Sequence, residues 1–383
     1  MKAVIAIDSF KGSLTSIEAG NAVKQAYLDV LGGKAVVYPV ADGGEGTTET
    51  LLTALHGKRV TKTVTGPLGE PVEAFYGIVN EGKTAVLEMA VAAGLPLVPP
   101  NFQNPMNTTT YGVGELILDA MDQGVREFVL GIGGSATNDG GLGMLSALGM
   151  QFLDKEGKRC GIYGKDVENV AGICQDGMDP RLQDCTFRVA CDVNNPLCGE
   201  NGASAVFGPQ KGADAAMITR LDRGLSTYAD LTEQLLGGSF RDMPGAGAAG
   251  GLGFALLAFL NAELIPGIEL VLDLLQVEKE MKTADLVITG EGRIDGQTAM
   301  GKTPVGVAAL AKRHAKPVIA FGGCIGEGAQ ACNEKGIDAY FPILRDMLSK
   351  EEAMDPEMAR ENLYQTAVQI FRFTKALLYR NIQ

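Results

Sequence analysis

The sequence predicts an α/β protein in which a parallel-sheet domain is assembled from both ends of the chain and a second α/β domain is inserted between them. Three observations carry that prediction. Short apolar runs of strand length alternate with segments of helical period, the pattern of a parallel sheet covered by crossover helices. A stretch of different character, from about Thr61 to Val79, alternates Thr, Val, Phe and Tyr around the turn pairs Gly66-Pro67 and Leu68-Gly69, which suggests an antiparallel hairpin. Regular β-α alternation then returns after Asp285. The boundaries expected are residues 1–64 with 285–383 for the discontinuous domain and 65–284 for the inserted one. At 383 residues the chain exceeds the roughly 100 to 200 that one core normally holds.

Strands are expected at Ala3–Ile7, Ala35–Val40, Ala85–Met89, Glu127–Ile132, Phe187–Cys191, Leu286–Thr289, Pro317–Phe321 and Ala339–Ile343. Between the first two, Ala19, Val23, Ala26, Tyr27 and Val30 make one helical stripe, and Thr15 with Glu18 forms a capping box at its start. Val113, Leu116, Ile117, Ala120 and Met121 form a second stripe, and Ala359, Leu363, Ile370, Phe371 and Leu377 a looser third. Asn381-Ile382-Gln383 reads as a short tail.

Composition narrows the function. Apolar residues make up 46% and charged residues 21%, the balance of a globular protein. The net charge of −13 and the lack of any lysine or arginine run argue against nucleic-acid and membrane partners. Seven cysteines without a Cys-x-x-Cys pair, and only two histidines, His56 and His314, make a disulfide framework or zinc site unexpected. With no signal-peptide pattern at Met1–Asp8, a reducing cytosol is expected. The most apolar region, Gly245–Leu275, is interrupted by Asn261, Glu263, Pro266 and Glu269, so it offers no span of about 20 apolar residues.

Six segments place glycines and small residues at strand or helix boundaries, most of them around an acid or base. Ligands of open α/β sheets gather at the carboxyl ends of strands, where glycine lets backbone N–H groups approach a phosphate. Asp8-Ser9-Phe10-Lys11-Gly12-Ser13 offers a carboxylate, two hydroxyls and an ammonium; the alternative is a polar connection with a surface lysine. Ala41-Asp42-Gly43-Gly44-Glu45-Gly46-Thr47 brings two hard oxygen ligands, or a turn followed by an acid at a helix start. Gly131 to Gly141, containing Gly133-Gly134-Ser135 and Asn138-Asp139, suits an anion. Ala190-Cys191-Asp192-Val193 ends a strand with an acid that is either a base, a metal ligand or a turn cap. Pro244 to Gly253, with Gly245, Gly247 and Gly250, carries no charge; it either cradles a phosphate at a helix N-terminus or lets two helices pack very closely. Thr289 to Lys302 carries Gly290, Glu291, Arg293, Asp295 and Lys302, a set able to grip a polyphosphate and its metal, or to form surface salt bridges. Phe207-Gly208-Pro209-Gln210-Lys211-Gly212 adds a further lysine.

No protein-kinase signature set occurs. Acids and glycines therefore dominate the candidate chemistry, and phosphoryl transfer needs little beyond positioning, Mg²⁺ and charge stabilisation.

In their order along the chain, Asp8-Ser9-Phe10-Lys11-Gly12, Pro39 to Thr47, Ile132 to Gly141, Ala190 to Val193, Phe207 to Ala213, Pro244 to Gly253 and Val287 to Lys302 resemble the signature segments of the bacterial type I glycerate kinases. Ile7 departs from the proline many relatives carry there. The resemblance implies a flavodoxin-like domain interrupted by a second α/β domain, with the site in the cleft between them. It also implies ATP- and Mg²⁺-dependent phosphorylation of D-glycerate, usually at the 2-hydroxyl. On that reading Asp192 is the first choice of base, then Asp42, with Lys11 also in the catalytic set. Asp8, Ser9, Lys11, Arg293 and Asn138 would hold glycerate. Gly133, Gly134, Ser135, Gly245, Gly247, Gly250, Gly290, Glu291 and Lys302 would hold ATP. Asp42, Glu45, Asp139 and Asp295, with Glu291 a further choice, would serve Mg²⁺. Alternatives are a kinase acting on the 3-hydroxyl or on another small hydroxy acid, and a non-catalytic nucleotide- or metabolite-binding regulator.

Overall fold

The computed structural model describes residues 1–379, so the tail Asn381-Ile382-Gln383 lies outside the described residues. The chain divides into two compact units, Met1–Asp42 with Ile268–Gln383, and Gly43–Gly267. In chain order the strands are β1 (Lys2–Ile7), β2 (Lys34–Val37), β3 (Lys58–Thr65), β4 (Pro71–Val79), β5 (Thr84–Glu88), β6 (Glu127–Gly131), β7 (Gln151–Leu153), β8 (Gly172–Cys174), β9 (Thr186–Ala190), β10 (Glu263–Ile265), β11 (Leu286–Ile294), β12 (Val318–Ile325) and β13 (Ala339–Pro342).

The first unit is a five-stranded sheet in the order β13-β12-β11-β1-β2, parallel at every step. Counted along this unit alone the order is 2-1-3-4-5, the flavodoxin-like doubly wound arrangement. A sheet covered on both faces needs continuous apolar runs, and Ala3 to Ile7 are fully buried. The helix Ser16–Val30 begins at the expected Thr15/Glu18 capping box. It packs against the helix Pro356–Tyr379, where Tyr27 meets Phe371 edge-on with ring centres 5.5 Å apart. The strand β2 stops at Val37 rather than Val40, before Pro39, which has no N–H to give to a ladder.

The strands β11 and β12 are longer than expected, reaching Ile294 and Ile325 instead of Thr289 and Phe321. Their glycines lie inside the ladder. An added Cβ at Gly290 would overlap the Phe321 carbonyl oxygen, and one at Gly323 that of Gly292. Glycine here permits close approach of two strands instead of breaking them. As a result Glu291 and Arg293 stand on a paired strand, two residues apart and so on one face.

In the second unit a six-stranded sheet runs β10-β9-β6-β5-β4-β3. The expected hairpin is β3–β4, closed by Gly66 N–H donating to Glu70 O at 2.8 Å, and β4 pairs antiparallel with β5. From β5 through β10 the pairing is parallel. The helix Tyr111–Asp122 buries the predicted Val113, Leu116, Ile117, Ala120 and Met121, and Phe128 stacks on Phe187 with centres 4.9 Å apart. No helix among the described residues is long and apolar enough to cross a membrane.

The uncharged stretch Pro244 to Gly253 packs against protein. Ala249, Gly250 and Gly251 adopt left-handed φ of 51°, 69° and 89°, and Gly140 N–H donates to Gly250 O at 3.0 Å. A Cβ at Gly250 would overlap the Thr137 carbonyl oxygen, whereas one at Gly157, also left-handed at φ +77°, would meet nothing. Gly250→Ala is therefore expected to lose about 2–4 kcal/mol of stability from strain and overlap together. Gly157→Ala should lose only about 1 kcal/mol. Urea denaturation of the two variants checks the contrast; equal losses would show that the close approach carries no cost.

Candidate functional site

Open parallel sheets bind ligands where the strand order reverses, at the carboxyl ends of the strands. In the first unit that point lies between β1 and β11, and a cavity of ≈ 460 Å³ opens there. The loop after β1 contributes Asp8, Ser9 and Lys11, the segment after β2 contributes Asp42, and β11 contributes Glu291 and Arg293. Asp295, Gln297 and Lys302 follow from the connection beyond β11. The remaining wall is Ile343 and Leu344 after β13, Lys350, Ala353 and Met354 from the helix Lys350–Met354 and its edge, and Ala359 and Asn362 from the helix Pro356–Tyr379.

Asp8 is 7% exposed. Its Oδ1 accepts Ser9 N–H at 2.6 Å and its Oδ2 accepts the Thr303 hydroxyl at 2.8 Å. Burial, then the Asp42 carboxylate, pushes its pKa up to about 6, against the pull of Thr303, Ser9 and Lys11. Glu291 is 8% exposed and accepts the Thr298 hydroxyl at 2.5 Å. Burial pushes it up to about 7; the Thr298 bond and the Lys302 charge oppose that, while the Asp8 and Asp295 carboxylates add to it. Arg293 Nε pairs with Asp295 Oδ2 at 3.0 Å, and Lys302 Nζ donates to Gln297 Oε1 at 3.3 Å. Buried carboxyls that titrate near neutrality beside cations mark a place suited to holding an anion and moving a proton. Among the described residues no three His, Cys, Asp or Glu side chains converge closely enough to hold a metal ion.

One cavity thus unites Asp8, Ser9, Lys11, Asp42, Glu291, Arg293, Asp295 and Lys302. Gly290 belongs to the same unit but is buried in the β11–β12 ladder. The other expected residues lie in the second unit. Gly133 and Gly134 are exposed just past β6, with Gly134 at φ +73°, and Ser135 is 9% exposed beside them. Asp192 follows β9 and its Oδ1 accepts Gly267 N–H at 2.9 Å. Glu45 is exposed.

Asn138 and Asp139 are fully buried. Asn138 Nδ2 donates to Ser204 Oγ at 3.0 Å. The Asp139 carboxylate accepts from Thr110 N and Oγ1 at 2.7 and 2.8 Å, and from Gly141 N and Gly143 N at 3.1 and 3.2 Å. Expected as a metal ligand, Asp139 uses both oxygens to shape its own loop. Lys211, 1% exposed, donates to Thr137 O at 2.7 Å; burial lowers it to about 7, with Asp139 opposing. Gly245, Gly247 and Gly250, expected to cradle a phosphate, are buried against protein atoms of Leu264, Pro196 and Thr137.

Sequence reasoning missed Gln297, Lys350 and Asn362 of the cavity. It also missed Glu88, which takes the N–H groups of Gly46 and Thr48 at 3.2 and 2.7 Å. For Asn362 a signal exists: it is a polar residue on the apolar helical face that Ala359 and Leu363 define.

The chain matches the glycerate kinase family over residues 3–375. It is 51% identical over 373 residues to a glycerate kinase of Haemophilus influenzae, covering 97% of this chain and 98% of that one. It is 49% identical over 354 residues to glycerate 2-kinase of Escherichia coli K12, covering 92% and 93%. A crystal structure from Salmonella typhimurium LT2, provisionally named glycerate kinase 2, is similar at a TM-score of 0.91 and 47% identity, covering 99% of each chain.

Asp8 and Glu291 are held above their unfolded pKa values, so the fold favours their protonated forms. That contribution is complete below pH about 4 and is lost as pH rises through about 6 for Asp8 and about 7 for Glu291. Replacing Glu291 by Gln removes the penalty of ionisation. The gain in unfolding free energy should be about 1–3 kcal/mol larger at pH 8 than at pH 5. Urea denaturation at the two pH values measures it, and a pH-independent change would rule out ionisation as the cause.

Proposed function

The chain belongs to the glycerate kinase family, and we propose that it transfers the γ-phosphoryl group of ATP to the 2-hydroxyl of D-glycerate, giving 2-phospho-D-glycerate and ADP, with glycerate held in the cavity of the first unit. The observation that carries this reading is the meeting in one cavity of two cations, Lys11 and Arg293, with two buried carboxyls, Asp8 and Glu291. Lys11 and Arg293 take the glycerate carboxylate, and the Asp295 bridge keeps the Arg293 guanidinium oriented.

Glu291 is the proposed base. Its Oε1 is fixed by Thr298, and a carboxyl titrating near pH 7 is matched to general-base work at neutral pH. As the substrate oxygen bonds to the γ-phosphorus, its proton passes to Glu291 and ADP departs with the oxygen that bridged the β- and γ-phosphorus atoms. Asp42, in the same cavity, is the next candidate. Lys302, in the same cavity, is proposed for phosphate contact.

Mg²⁺ fits the donor chemistry. Asp8, Asp42 and Asp295 line the cavity with hard oxygen donors, and Mg²⁺ is normally held by one or two carboxylates, with water and phosphate completing its shell. When bound, the ion neutralises phosphate charge. The unpaired thiols support a reducing cytosol as the compartment.

Release of ADP from ATP, Mg²⁺ and D-glycerate should be measurable in a coupled assay; no turnover above the glycerate-free control would sink the kinase reading, and carbon NMR of the product tells 2- from 3-phosphoglycerate. Glu291→Gln should lower kcat about 100- to 10,000-fold and remove the acid limb near pH 7 from the kcat/KM profile. Retention within tenfold would move the base to Asp42. Lys11→Met should raise KM for glycerate about 10- to 100-fold through loss of a charged hydrogen bond, read from initial rates at saturating ATP.

A further inference from the structure

We propose that Asn362 recognises the non-reacting hydroxyl of the substrate and so makes the cavity selective for a dihydroxy acid over the same acid lacking that hydroxyl. The inference deepens the glycerate reading above and rests on it.

Asn362 lies in the helix Pro356–Tyr379 and lines the cavity at 7% exposure. Among the described residues no group donates to its side chain or accepts from it. The amide is largely withdrawn from bulk water yet opens on the cavity without a protein partner, which leaves it free to meet a ligand there. Its neighbours on the helix give no reason for a polar group there. Ala359 and Leu363 are buried on the same face, and Ala367 and Phe371 continue it into the core.

The chemistry of the cavity divides by element. Lys11, Glu291 and Arg293 come from the ends of β1 and β11. The wall that Asn362 shares is mostly apolar, made by Ile343, Leu344, Ala353, Met354 and Ala359, with Lys350 its one charged member. An amide offers a donor and an acceptor and no charge, so it complements a hydroxyl, whereas a carboxylate gains more from the charged donors Lys11 and Arg293. With the carboxylate on those cations and the 2-hydroxyl directed at Glu291, the 3-hydroxyl is the polar group of glycerate left for Asn362.

The test compares D-glycerate with D-lactate, in which hydrogen replaces the 3-hydroxyl. KM for D-glycerate and the strength of competitive inhibition by D-lactate are measured for the full chain and for Asn362→Leu, which is close in shape but cannot hydrogen-bond. Asn362→Ala, which likewise cannot hydrogen-bond, supplies the same readout should the leucine variant fail to fold. KM for D-glycerate should rise about 10- to 100-fold, with inhibition by D-lactate no weaker than in the wild type. A KM within threefold of the wild type, or inhibition by D-lactate weakened in step with KM, overturns the proposal. Wild-type protein that turns over no D-glycerate overturns instead the reading on which it rests.

Discussion

Two carboxyls separated by most of the chain, Asp8 and Glu291, are buried beside one another, and the first unit is arranged around keeping them there. Parallel pairing of β1 with β11 does the placing: Ile7 is opposite Gly290, and Asp8 N–H donates to Gly290 O at 2.9 Å. Neither acid has a dedicated buried counter-ion. Each is instead given a hydroxyl, Thr303 for Asp8 and Thr298 for Glu291, a neutral donor that serves whether the carboxyl is ionised or not. A lysine or arginine bonded in those positions would have held the acids ionised and removed their ability to titrate near neutrality.

The same constraint explains the glycines of β11 and β12. A strand carrying Glu291 and Arg293 must continue past the normal edge of the sheet, and its close pairing with β12 leaves no room for a Cβ at Gly290 or Gly323. The second unit uses glycine differently, to press the stretch around Gly250 against the loop at Thr137 and Gly140. Within that loop Asp139 gathers the N–H groups of Thr110, Gly141 and Gly143, and Lys211 holds the Thr137 carbonyl.

What was legible in the sequence was mostly local. The Thr15/Glu18 box, the stripe in Tyr111–Asp122 and the hairpin at β3–β4 are set by periodicity and turn chemistry within a few residues. The acidic segments after β1 and in β11 were also legible, because an aspartate or glutamate among glycines at a strand end has few structural uses. Glycine itself was ambiguous: it reports that a backbone or ligand comes close without saying which, so Gly245, Gly247 and Gly250 carry the same signature as Gly133 and Gly134. Asp139 was ambiguous for a related reason, since an acid followed by glycines reads alike whether it faces a cation or its own loop's amides. Glu88 depends on contacts from a distant part of the chain, which no local pattern announces.

The extension of β11 into the cavity also sets how such a site can change over evolutionary time. Glu291 and Arg293 are anchored by ladder pairing to β12, while the residues before Ile7 tie the same strand to β1. A substitution that shifted either side chain would have to move three strands together. The short helix Lys350–Met354 and the start of Pro356–Tyr379 carry no such ladder. New substrates are therefore most accessible by exchanging side chains on that helical wall, with the strand-borne chemistry inherited unchanged.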